Sequence, residues 1–335
     1  MIDKHTDEPS NIIAPADRSE RNTNSVETNV SESRVKKLTE QGFFRLFIIL
    51  IFFALGLGSG YLLWETELPE TEITKTGPDL MSQINPSEGY QLSVKYGELG
   101  PDMVTAGVID YDKFLQVYEK AGRPLSDTQK EILTQGSDSR IVFSNENAHF
   151  LLNYFWALGL VNENPILTEG PMMMYGLEEI GRFASTGGWT IGAKPATEIY
   201  ASVPILTITS EQQTRLEEVA QNIFRPCCNN PTHFPDCNHG MAMLGMLTLL
   251  VSEDASEAEL YDAAKYANAF WYPQQYFELA LYFKAVDGQE FAEVDAQKVV
   301  SADFSSGAGF SNVHQYLVAN GLLEQAPGSG NSCGV

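Results

Sequence analysis

Positive charge is scarce in this chain: lysine and arginine number 21 against 44 aspartates and glutamates, for a formal net charge of -23. Binding to nucleic acid requires clustered cations that displace counterions from the phosphate backbone, so no nucleic-acid partner is expected. Groups able to do chemistry are also few, with five histidines and four cysteines. No Ser-His-Asp or nucleophile-elbow pattern is present, and no pair of carboxylates is singled out by spacing, so no catalytic residue is assigned. There is no internal repeat. A calcium loop is suggested by Asp102–Lys113 (DMVTAGVIDYDK), but Val104, Ala106 and Lys113 stand where oxygen donors are needed. A hard cation takes six or more oxygens, so the segment reads as a turn leading into a helix.

What the sequence does contain is apolar material. With 335 residues, 43% of them hydrophobic and 11% aromatic, it can form one large folded domain with appendages. Its acidity reads as a solubility device.

One apolar run is long enough to cross a membrane. From Leu46 to Trp64 no charged residue occurs, and at about 1.5 Å per residue this covers roughly 28 Å of hydrocarbon. A polar stretch precedes the run and no small-residue cleavage site follows it, which favours an uncleaved anchor over residues 43–64. Arg34, Lys36, Lys37 and Arg45 lie before the span, and Glu65, Glu67, Glu70 and Glu72 after it. Positive flanks stay inside, so residues 1–42 are expected to be a disordered cytoplasmic tail and the remainder extracytoplasmic. Tyr61 and Trp64 suit the outer interface, and Gly56 with Gly60 forms a pair that allows close helix approach.

Residues 65–95, with Pro69, Gly77, Pro78, Pro86 and Gly89, read as a stalk. Residues 96–325 read as an all-α domain, giving a mainly α chain with a single transmembrane helix. Helices are expected from Tyr111 to Ala121, after a Ser126/Gln129 capping box, and from Ala148 to Val161 as a buried element. Further helices follow Ser210/Gln213 and Ser256/Glu259, start at Pro273, and run from Ser311 to Asn320. Residues 326–335 form a glycine-rich tail carrying Cys333.

The chemistry concentrates in one loop, Pro226-Cys-Cys-Asn-Asn-Pro-Thr-His-Phe-Pro-Asp-Cys-Asn-His-Gly240, which runs into the apolar stretch MAMLGMLTLLV. Cys227, Cys228, Cys237 and His239 are candidate metal donors, with His233, Met243 or Cys333 completing the set. If His239 opens a helix, Met243 and Met246 share its face one and two turns on. Imidazole, thioether and thiolate together suit Cu(I), whereas cysteines with histidines suit zinc. Four cysteines in an oxidising compartment also make two disulfides, 227–237 with 228–333 or 228–237 with 227–333. Thiol–disulfide exchange is the third reading.

The order of cysteine loop, helix, Ser-x-x-Glu-capped helix and Trp271-Tyr272-Pro273 resembles the membrane-anchored thiol subunit of bacterial cytochrome c maturation. That family has Cys-x-x-Cys where this chain has Cys227-Cys228, so no role is carried over. His149, His314, Met172–Met174 and the aromatics from Phe270 to Phe283 read as core residues, and the glycine turn Ser185–Trp189 has no phosphate-loop pattern. The expectation is therefore a single-pass membrane protein whose Cys/His/Met loop binds copper or zinc or acts in thiol redox chemistry. The alternative is a disulfide-stapled surface domain that binds a protein partner.

Overall fold

The computed structural model describes residues 79–323. The expected cytoplasmic tail, membrane anchor and Cys333 tail lie outside these residues. Among the described residues no helix is long and apolar enough to cross a membrane.

The domain is mainly helical, and two helices organise it. Helices α1 (Leu99–Ala106), α2 (Tyr111–Lys120) and α3 (Asp127–Gln135) precede α4 (Ala148–Val161). Single-turn helices and 3-10 turns then lead to α5 (Ser210–Asn222), α6 (Asn238–Ser252), α7 (Glu257–Trp271), α8 (Pro273–Asp287) and α9 (Gly307–Ala319). Most helices of a globular protein are apolar along one stripe; a helix apolar on every side must be enclosed. The latter holds for α4, buried from Phe150 to Val161, and for α6, buried from Gly240 to Val251.

These two helices pack directly on each other through glycines. A methyl group at Gly159 would strike the Met241 carbonyl, and one at Gly245 would strike the Phe155 carbonyl and the Gly159 amide. The remaining helices wrap this pair. A second, smaller core forms where Tyr276, Leu279 and Phe283 of α8 meet Val313 and Leu317 of α9 with Leu80 and Ile84.

The expected all-α character and the stalk boundary both need correction. Residues 79–84 are helical, and Tyr90–Gly97 forms strand β1, paired antiparallel with β2 (Ser137–Phe143). Leu92, Val94 and Tyr96 alternate inward from β1, and Ile141 and Phe143 from β2. The end of the predicted stalk is thus a half-buried strand, whose alternation is the normal signature of a sheet with one solvated face.

Capping boxes at Ser126/Gln129 and Ser256/Glu259 start α3 and α7 as expected. The next box falls one residue early, on Thr209 and Gln212, because the Thr209 hydroxyl is the group that accepts the Gln212 amide. The last helix starts at Gly307 rather than Ser311, capped by the Ser306 side chain. The supposed calcium loop is the end of α1, a left-handed Gly107, and Asp110 capping α2.

Replacing Gly159 or Gly245 by alanine is expected to destabilise the domain by about 1–3 kcal/mol, since backbone must move to admit the methyl group. Chemical denaturation monitored by circular dichroism checks this; unchanged midpoints would mean the two helices are not held this close.

Candidate functional site

Residues 223–237 leave α5 and return as the first turn of α6, and their backbone is tied down at many points. The Thr232 amide donates to Ile223 O at 2.8 Å and the His233 amide to Ala220 O at 2.9 Å, closing the loop on its own start. Outside it, the Phe224 amide donates to Val300 O and Gly307 N to Cys228 O, each at 2.8 Å, while Ser185 N donates to Asp236 O at 3.0 Å. Asn268 of α7 donates to Phe224 O at 2.9 Å.

At the centre sits Arg225, with none of its surface exposed. Its Nε donates to Cys237 Sγ at 3.3 Å, and its Nη2 to Cys228 Sγ and Asp236 Oδ1, both at 3.4 Å; Thr232 Oγ1 lies 3.5 Å from Nη1. Gly240 makes room, since a side chain there would press on the guanidinium. Cys227 and Cys237 place their sulfurs 3.6 Å apart, and the three sulfurs of Cys227, Cys228 and Cys237 all lie within 4.8 Å of one another.

A guanidinium cannot shed its proton in a protein, so burial obliges its neighbours to supply negative charge. Burial by itself would lower the Arg225 pKa, but the sulfurs, Cys237 foremost, raise it overall. Cys237 carries the balancing charge. Hydrogen bonds from the Cys227 and Cys228 thiols hold its pKa well below the usual thiol range, with help from Arg225. It is also the N-cap of α6, its sulfur accepting the Gly240 amide at 3.3 Å. In consequence the Cys227 thiol is pushed up, mainly by donating to its two neighbours, and Cys228 also moves up on balance. Asp236 is raised by burial and by the Cys237 charge, despite Arg225.

His239 follows on the first turn of α6. Its Nδ1 meets Asn238 Oδ1 at 2.9 Å, and its ring lies 4.5 Å from Tyr272 and 5.8 Å from Trp271, centroid to centroid. Burial lowers its pKa to about 4, so the ring is neutral near pH 7. The Tyr272 hydroxyl is buried beside Cys227 without a hydrogen-bond partner, and burial is the main cause that raises its pKa well above the normal range.

Of the seven sequence-predicted donors, three come together as a cluster: Cys227, Cys228 and Cys237. His239 lies beside that group and His233 outside it. Met243 and Met246 are fully buried in the main core, where packing has claimed the face that helical spacing suggested for ligation. Cys333 lies outside the described residues. Among the described residues no disulfide joins Cys227, Cys228 and Cys237, which corrects the expected 227–237 or 228–237 bond; the expected partner bond to Cys333 lies outside the described residues. Sequence reasoning missed Arg225, Asp236 and Tyr272; the signal for Arg225 was a single cation in the otherwise apolar stretch Ile223–Pro226, next to two cysteines. No protein-family model, no curated protein and no solved structure matches this chain.

Two outcomes are expected of the metal-free protein. Arg225→Gln removes the counter-charge of Cys237, so its alkylation at pH 7 is expected to slow by about tenfold for each unit its pKa rises beyond 7, read by iodoacetamide labelling and peptide mass mapping. His239 binds its proton less readily folded, at a pKa of about 4, than at its ordinary 6.5. The stability it contributes is therefore complete above pH 6.5 and is lost as pH falls through 6.5 toward 4, by up to about 3 kcal/mol. Urea melts of the parent and His239→Phe across this window isolate the effect; parallel pH profiles would contradict it.

Proposed function

We propose that this chain is a membrane-anchored extracytoplasmic protein whose Cys227, Cys228 and Cys237 cluster binds a thiophilic transition metal, with zinc the best fit. The observation that carries the reading is three sulfurs gathered within 4.8 Å around a buried guanidinium. Zinc–sulfur bonds of about 2.3 Å at tetrahedral angles separate neighbouring sulfurs by roughly 3.8 Å. The 3.6 Å between Cys227 and Cys237 is close to that spacing.

Charge favours the dication. With the Asp236 carboxylate counted, three thiolates, one guanidinium and Zn2+ leave one negative charge, whereas Cu(I) leaves two unless a sulfur keeps its proton. The candidate fourth donor is the neutral His239, two residues on from Cys237 and outside the group of sulfurs that lie within 4.8 Å of one another. Its Nδ1 is engaged by the Asn238 side-chain oxygen, leaving Nε2 as the free lone pair, the arrangement that orients imidazoles toward metals. Extracytoplasmic placement rests on the apolar span from Leu46 to Trp64 and its charged flanks.

A protein-interaction role has one supporting observation of its own. Met174, Tyr175 and Leu177 are 86%, 58% and 59% exposed, and Tyr175 joins Phe183 and the loop residue Phe234 in an aromatic trio. A partner seated there would touch the metal loop.

Metal content of the full chain, purified in detergent without chelator or affinity metal, tests the main reading. About one equivalent of zinc is expected, falling to background in Cys228→Ser, weakened in His239→Ala and unchanged in Met243→Leu. No metal above background in the reduced parent would overturn the reading in favour of the interaction role.

A further inference from the structure

The three sulfurs of the cluster are chemically unlike one another, and the difference is written in what surrounds each. Cys237 Sγ faces donors: Arg225 Nε–H and Gly240 N–H, each at 3.3 Å, at the N-terminus of α6. Cys228 Sγ receives Arg225 Nη2 but also faces acceptors, with Asn230 O at 3.9 Å and Asp236 Oδ1 at 4.0 Å. Cys227 Sγ lies 3.6 Å from Cys237 Sγ and next to the Tyr272 hydroxyl. Donors therefore converge on the Cys237 sulfur, with the Cys227 sulfur in van der Waals contact with it. All three residues retain some exposure to solvent.

We propose that in the metal-free state this cluster performs thiol–disulfide exchange with external disulfides, Cys237 attacking and Cys227 resolving, and that the resulting Cys227–Cys237 bond closes the metal site. The activity rests on the same cluster as the proposed metal centre. In the first step the Cys237 sulfur attacks one sulfur of a disulfide R–S–S–R. A Cys237–S–S–R bond forms, the R–S–S–R bond breaks, and RS⁻ departs. In the second, Cys227 passes its proton to that RS⁻ through solvent, and its sulfur attacks the Cys237 sulfur. The Cys227–Cys237 bond forms and a second RS⁻ leaves. Two electrons pass from the protein to the oxidant, which is recovered as one thiol and one thiolate.

The second step is short. Closing from 3.6 Å to a disulfide bond of about 2.05 Å moves the sulfurs roughly 1.5 Å. Attack proceeds through a thiolate in line with the disulfide, and donors that hold the anion in place favour the attacking role. Cys228 is the sulfur left over. Once Cys227 and Cys237 are joined it is the sole thiol of the cluster, and one sulfur cannot hold the metal that three hold.

The test uses the full chain in detergent, reduced, freed of metal by chelator and then exposed to glutathione disulfide. The parent is expected to lose the mass of two hydrogens, with the bond mapping to Cys227 and Cys237. Cys227→Ser is expected to stop at a glutathione adduct on Cys237, and Cys237→Ser to form neither product. Zinc is then offered to the reduced and oxidised parent, and only the reduced form is expected to bind it. An adduct on Cys228 in the Cys227→Ser variant, or a parent that stays reduced, would overturn the proposal, and the parent result stands even if a variant fails to fold. The two readings fail separately. Exchange without zinc uptake by the reduced protein removes the metal centre alone, and zinc uptake without exchange removes this activity alone.

Discussion

A guanidinium with no exposed surface is the constraint around which the loop is arranged. Arg225 is excluded from water on every side, and an uncompensated charge in that position would cost more than most domains have to spare. Four features of the loop answer this one demand: Cys237 as an anion, Asp236 within 3.4 Å, Thr232 as a further acceptor, and a glycine at 240 that leaves space for the group. Lys265 shows the alternative. It too is buried, donates to Val294 O at 2.9 Å and lies over the Phe291 ring, but burial lowers its pKa to about 8. An amine can relieve its surroundings by giving up a proton. Arginine cannot, so at Arg225 it is the thiol that changes state.

Position of the thiolate follows from the core. Helix α6 is enclosed along nearly its whole length and locked against α4 by Gly159 and Gly245, so its first turn has little freedom. Cys237 caps that turn. The most stable element of the architecture thereby presents its positive end to the sulfur that carries the charge. Pro226, Pro231 and Pro235 restrict the loop between α5 and α6, and the amide of Gly307 at the start of α9 holds it from the far side. Precision at the sulfurs is inherited from helices whose sequences have no chemistry in them.

Legibility of this design from sequence divides along the same line. The segments Ala148–Val161 and Met241–Val251 are apolar all round, so their burial is a local property and reads directly. Capping at Ser126 and Ser256 is local too. The β1–β2 pair joins residues forty or more positions apart, with an irregular register, and nothing in either segment names its partner. Likewise helical periodicity places His239, Met243 and Met246 on one face. It does not say where that face stops meeting the loop and starts meeting the core, and the boundary falls before Met243. Arg225 shows a deeper limit: its role is defined by what lies around it in three dimensions, and in one dimension it is only an isolated cation.

The backbone ties that hold the loop do not run through its sulfurs. Its backbone is held by Ile223, Ala220, Val300, Ser185, Gly307 and Asn268, none of which depends on a disulfide or an ion. In small zinc modules the metal creates the fold, and most of the binding energy is spent ordering the chain. Here that ordering is already done by the large core behind α6, so under the proposed metal reading the free energy of coordination would go into affinity rather than folding. A preformed site with donors already aimed at one sulfur would need little rearrangement to take up the proposed metal. It also has two sulfurs already in contact when an oxidant arrives. The proposed competition between metal and disulfide would thus be decided by the chemistry around three sulfurs and one arginine, and only weakly by the stability of the domain that holds them.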